Sequence, residues 1–107
     1  MSKIFEHILG LVEQGDMRIS DHGYDELAAD GLSVRDAIAT IRDGVVVEDY
    51  PDYPKGPCVL VLQKDRKGEH IHVVWGIPRG GASPAVLVTA YRPDPKRWEP
   101  DLLRRKK

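Results

Sequence analysis

The chain has 107 residues, 41% of them apolar, a formal net charge of −1 and a single cysteine, Cys58. That length holds one domain, the apolar share suits a packed core rather than wholesale disorder, and one cysteine excludes an internal disulfide or a cysteine-rich zinc knuckle. No apolar run approaches the roughly 18 residues that span a bilayer, and the first residues lack the apolar stretch of a signal peptide, so a reduced, bacterial-type cytoplasm is the expected compartment and no membrane the expectation for partners.

Taken in order, Ile4, Phe5, Ile8, Leu9, Leu11 and Val12 fall at helical spacing, with Ser2 as N-cap and Gly15 as stop. Met17-Arg18-Ile19 reads as a short extended piece. Ser20 or Asp21 caps a second helix carrying Tyr24, Leu27 and Ala28, which ends near Gly31. Ser33 with Asp36 three residues on has the form of a capping box, and the third helix turns Val34, Ala37, Ile38 and Ile41 inward before Gly44.

After Gly44 the hydrophobic period becomes two. Val45–Tyr50 reads as a strand, Pro51, Pro54 and Pro57 force a loop, and Cys58–Gln63 forms a second strand. Lys64–Gly68 is a hairpin connection, His70–Ile77 a third strand, Pro78–Pro84 a loop and Ala85–Tyr91 a fourth strand. No helix fits between these strands. The expected architecture is therefore α+β, with two to three N-terminal helices packed on a four-stranded antiparallel sheet. Residues 1–98 form the domain and 99–107 a basic C-terminal tail.

Charge is unevenly placed. Residues 92–107 carry seven bases against three acids, a net of +4, which leaves −5 on the rest. Such a segment suits phosphates or an acidic partner, or is simply a solvated, frayed end.

No phosphate-binding glycine loop, GxSxG elbow, HExxH helix or CxxC is present, so any active site is assembled from scattered residues. Along the third strand Ile71, Val73, Trp75 and Ile77 point to the helices, and His70, His72 and Val74 point the other way. The two histidines stand roughly 6.5–7 Å apart. As imidazoles they serve acid–base or phosphate chemistry, join His22 around a zinc-like ion, or are partly exposed sheet residues without a role. His22 opens the second helix, where the helix end favours anions. Tyr91, Arg92, Lys96, Arg97 and Trp98 interleave rings with cations, a combination suited to single-stranded nucleic acid, or to a tryptophan folded onto the core. Glu48 sits in an acidic, proline-flanked cluster where it is a general base or merely solvated. Cys58 reads as a small buried residue.

Ser20-Asp21-His22, Gly31-Leu32-Ser33, Gly44-Val45-Val46-Val47-Glu48, Tyr50-Pro51, His70-Ile71-His72-Val73-Val74, and Tyr91-Arg92-Pro93 with Trp98 follow one another in this order. Together they resemble the small bacterial domain-of-unknown-function family 4258, from about Ile4 to Trp98. The resemblance implies a helices-then-sheet fold of the RelE and barnase-like ribonuclease type. It further implies a toxin-like, metal-independent endoribonuclease that needs no cofactor and is held in check by an antitoxin protein, with RNA, ribosome-bound or free, as substrate. Carried over by position, His22, His72, Tyr91 and Arg92 are the expected catalytic residues. His70, Lys96, Arg97 and Trp98 are expected to bind RNA, and no metal site is expected. One departure counts against this. Glu26 and Asp30 stand where the family pattern usually has arginine, and two anions repel a phosphate backbone. The alternative is a non-catalytic protein-interaction module that kept the scaffold and lost the chemistry.

Overall fold

The computed structural model describes residues 2–107. Ser2 caps the first helix, α1 (Lys3–Glu13), by accepting the Phe5 N–H at 3.0 Å. The helical spacing buries Phe5, Ile8, Leu11 and Val12 on one side of it. Ser20 caps α2 (Asp21–Ala29), taking the Gly23 N–H at 2.9 Å. The carboxylate of Asp36 accepts from both the N–H and the hydroxyl of Ser33 at the start of α3 (Val34–Thr40), as the capping-box spacing predicts. A single 3₁₀ turn, Ile41–Asp43, leads into the sheet. Not every apolar position turns inward: Ile38 and Tyr24 are exposed, and Leu27 alone anchors α2 among the three residues expected to do so.

The strands are β1 (Met17–Ile19), β2 (Val45–Tyr50), β3 (Cys58–Lys64), β4 (His70–Gly76) and β5 (Ala85–Tyr91), in the spatial order β1-β5-β4-β3-β2. The α+β class is as expected, but the sheet has five strands and is mixed, not four-stranded and antiparallel. The added strand is the short extended piece Met17–Ile19, which pairs parallel with Ala85–Leu87. Three residues carry too little alternation to reveal a strand, and its partner lies far along the chain. Where β1 stops, α2 takes over the edge of β5: Ser20 donates its hydroxyl to Val88 O at 2.8 Å, and Asp30 accepts the Arg92 N–H at 2.7 Å. Glycine lets the helix come this close, because a Cβ at Gly23 would stand 2.8 Å from Leu87 O.

The core lies between the helices and one face of the sheet. Ile71, Val73, Trp75 and Ile77 belong to it, as the alternation of β4 predicts, with Val59, Val61 and Leu87 beside them. A buried amide is satisfied within it. Gln63 accepts the Trp75 indole N–H at 2.8 Å and donates to Ala37 O at 2.7 Å, which ties α3 to the sheet's centre.

Two bulges decide what stands on the opposite, outer face. In β2, Val46 pairs with Val61 and Glu48 with Leu60, leaving Val47 as the extra residue. In β5, Leu87 pairs with Trp75 and Thr89 with Val74, leaving Val88 extra. Each insertion reverses the faces of the residues that follow it. Glu48, Tyr50 and Tyr91 thereby join His72 on the outer face.

The segment after Trp98 is folded. Glu99 N–H donates to Arg104 O at 2.8 Å and Lys106 N–H to Arg97 O at 2.9 Å, with Trp98 opposite Arg105. This closing hairpin lies against the outer face. Among the described residues no helix is long and apolar enough to cross a membrane.

Candidate functional site

His72 sits near the middle of β4 between Leu62 of β3 and Tyr91 of β5. The outward-facing position predicts partial exposure, but the side chain is fully buried. The closing hairpin covers it: the Trp98 ring packs edge-on at 4.4 Å between centroids, and Leu102 O lies 2.8 Å from Nε2. Tyr91 packs edge-on from the other side, its hydroxyl 3.3 Å from Nδ1. A carbonyl only accepts, so Nε2 carries the proton and Nδ1 accepts from the Tyr91 hydroxyl. Burial pushes the His72 pKa down, and the nearby charges of Arg105 and His70 add to this against the opposing pull of the Leu102 carbonyl. The imidazole is thus held neutral in one tautomer. Burial likewise pushes the Tyr91 hydroxyl up, so it keeps its proton.

Around this pair the hairpin supplies charge. Arg105 lies over the Trp98 ring, 4.8 Å from its centroid, and its guanidinium pairs with Glu48 and reaches the Tyr50 hydroxyl at 3.5 Å. An open cleft of about 590 Å³ runs alongside, lined by Tyr91, Trp98, one acid (Asp94) and six bases: Arg92, Lys96, Arg97, Arg105, Lys106 and Lys107. Cations flanking aromatic rings suit a phosphate backbone with unpaired bases.

The expected site residues are not all gathered here. Tyr91, Lys96, Arg97 and Trp98 line the cleft, and His72 is buried against Tyr91 and Trp98 without lining it. His70 stands at the start of β4, exposed, beside a separate groove formed with Thr40, Asp43 and Lys64. His22 lies on the first turn of α2, two-thirds exposed, its Nε2 3.6 Å from the Glu26 carboxylate. None of the groups touching the His72 ring is His22. Arg92 borders the cleft, but its guanidinium is engaged by Asp65 at 3.0 Å and Glu69 at 3.4 Å. The two acids at unexpected positions both have partners: Glu26 faces His22, and Asp30 holds the backbone of Arg92. Among the described residues no three His, Cys, Asp or Glu side chains converge as a metal site would require. Cys58 is buried, and burial pushes its thiol pKa up.

Sequence reading missed Arg105, Tyr50 and Leu102 as neighbours of the pair. Their signal was weak: Arg105 was one of a run of bases, and the bulge that delivers Tyr50 leaves no mark on a two-residue period.

A small α+β domain with a buried histidine, paired with a half-buried tyrosine, beside a basic, aromatic-lined cleft is the class these observations define. The chain belongs to domain-of-unknown-function family 4258, which it matches over residues 19–92. The match runs from the end of β1 to Arg92, so α1 and the closing hairpin lie outside it. No curated protein and no solved structure matches the chain.

Proposed function

We propose that this protein is an RNA-binding domain of the toxin-like endoribonuclease type, with the cleft from Tyr91 to Lys107 holding the strand and His72 with Tyr91 as its reactive pair. The single observation that carries this reading is the adjacency of a neutral histidine–tyrosine pair to six cations on one face. The cations offset the negative charge of the backbone, and the half-buried Tyr91 ring lines the cleft beside them, while Trp98 lies buried under Arg105 until the hairpin opens. In the reaction the Leu102 carbonyl leaves Nε2, the imidazole carries its one proton on Nδ1 towards the Tyr91 oxygen, and Nε2 takes the proton of a ribose 2′-hydroxyl. The alkoxide attacks the adjoining phosphorus, and the bond to the 5′-oxygen breaks as that oxygen is protonated by an acid such as the Tyr91 hydroxyl. The products are a cyclic phosphate and a free 5′-hydroxyl, and the neighbouring cations steady the added charge on phosphorus. Kinship in fold with the RelE and barnase-like ribonucleases, action in a cytoplasm, and control by an antitoxin protein that presents acidic groups to the cleft belong to the same proposal.

A specific observation favours a second reading, a binding module without chemistry. Both nitrogens of His72 are engaged, and Arg92 is neutralised by Asp65 and Glu69. Incubating the purified protein with mixed single-stranded RNA, with and without a chelator, beside Tyr91→Phe separates the two. Chelator-resistant cleavage that falls at least about tenfold in Tyr91→Phe supports the enzyme. Retention of RNA without cleavage supports the module.

A further inference from the structure

We infer that the closing hairpin, residues 97–106, is a cap that must lift from the outer face before His72 can meet a substrate, and that the structure holds the closed form. The inference rests on the RNA reading above. In the closed form no part of His72 is open to solvent, and the Trp98 ring and Leu102 carbonyl are what close it.

The way the hairpin is held suits a part that moves. Trp98 is its one buried residue, and every residue from Glu99 to Lys107 is exposed or only half-buried. Segments with so little buried apolar surface open at the low end of a protein's stability range. Leu102, which aims its carbonyl at His72, has φ of 61°, a left-handed conformation that residues bearing a side chain rarely adopt. The remaining anchor is polar: Arg105 pairs with Glu48 across a solvent-accessible face. Phosphate oxygens compete for that guanidinium on the same terms as a carboxylate. An RNA strand entering the cleft therefore meets, in Arg105, the residue that pins the cap. The family match ends at residue 92, before the hairpin begins.

The test is the rate at which diethyl pyrocarbonate modifies each histidine of the full-length protein, read by peptide mass spectrometry. The exposed His7, His22 and His70 serve as internal standards. In the parent protein His72 should react at least about tenfold more slowly than these three, since its modification waits on opening. Glu48→Lys repels Arg105 and should speed His72 by about threefold or more, the scale of an exposed ion pair, with the three standards unchanged. Arg105→Met releases the same contact from the other side and should do likewise, which guards against a local fault in one variant. His72 reacting as fast as the standards in the parent overturns the cap, as does an unchanged His72 rate in both variants. RNA turnover is measured in parallel on parent and Glu48→Lys. A faster His72 rate with a matching rise in turnover supports both readings. A faster His72 rate with no turnover leaves the cap standing and overturns the enzyme.

Discussion

The Tyr91 hydroxyl lies 3.3 Å from Nδ1 of His72 because β5 carries one residue more than β4 needs. With Val88 absorbed in a bulge, Ala90 pairs with Val73 on the helix side and Tyr91 pairs with His72 on the outer side. In a regular strand Tyr91 would share the face of Leu87 and point into the core. The histidine–tyrosine pair thus depends on a backbone irregularity rather than on either side chain alone. Deleting Val88 should return Tyr91 to the core face and release His72. Loss of the His72–Tyr91 contact in the imidazole NMR spectrum, with stability lowered, is the expected outcome.

His72 also bears structural weight. His72→Ala removes a fully buried ring and two hydrogen bonds, and should cost about 2–4 kcal/mol in urea unfolding. Loss of activity in that variant would mix unfolding with chemistry. Tyr91→Phe keeps the ring and removes only the hydroxyl. It should cost no more than about 1.5 kcal/mol, and so reports on the reaction more cleanly.

Acid should loosen the outer face. The folded His72 titrates below its unfolded value, for which an unperturbed histidine is near 6.5. The unfolded chain then binds the extra proton first, so stability falls as pH drops through about 6.5 towards the folded pKa, and no further below it. The groups facing His72 are Tyr91, Trp98, the Leu102 carbonyl, Arg105 and His70; the carbonyl favours the protonated ring, but burial outweighs it and none of the five is a carboxylate. Urea midpoints between pH 7.5 and 5.5 should decline in the parent and decline less in His72→Gln.

A second pH effect lies in a different window. Burial raises the Asp36 pKa, but hydrogen bonds from the Ser33 and Arg66 N–H groups, the Ser33 hydroxyl and the Arg66 guanidinium outweigh it and hold the group at about 2. Stability from this carboxylate is present above the unfolded value near 3.8 and is lost as pH falls towards 2. Asp36→Asn should destabilise the protein by about 2 kcal/mol at pH 7, and the difference from the parent should vanish near pH 2.

Gln63 stands between α3 and the sheet. Gln63→Leu strands the Trp75 indole N–H and the Ala37 carbonyl in the core, and should cost about 1–3 kcal/mol. An unchanged unfolding midpoint would show that these groups find other partners.

What was legible in the sequence follows from the period of its signal. The buried face of α1, the Ser33–Asp36 box and the inward set Ile71, Val73, Trp75 and Ile77 each rest on regular spacing within one element, which single-chain periodicity reports well, whereas Tyr24, Ala28 and Ile38 on the shorter α2 and α3 turn outward. The parallel pairing of β1 and the outward turn of Glu48, Tyr50 and Tyr91 rest on pairings between distant segments or on single-residue bulges. Neither alters local composition. His72 was correctly placed on the outer face, yet its burial was hidden, since it depends on a hairpin whose base-rich composition reads as solvated chain. Family membership was legible from the order of short motifs, and Glu26 and Asp30 stood out as departures before their partners His22 and Arg92 were known.

The most direct test of the account is equilibrium binding of a fluorescein-labelled single-stranded RNA at several salt concentrations. The parent is measured beside a Lys96→Glu/Arg97→Glu variant whose fold is checked by circular dichroism. The account predicts that the parent binds, with log K falling linearly in log salt, and that reversing two cleft cations weakens binding by at least about tenfold and flattens the slope. A parent that fails to retain RNA at low salt, or a variant that binds as tightly as the parent, would contradict it.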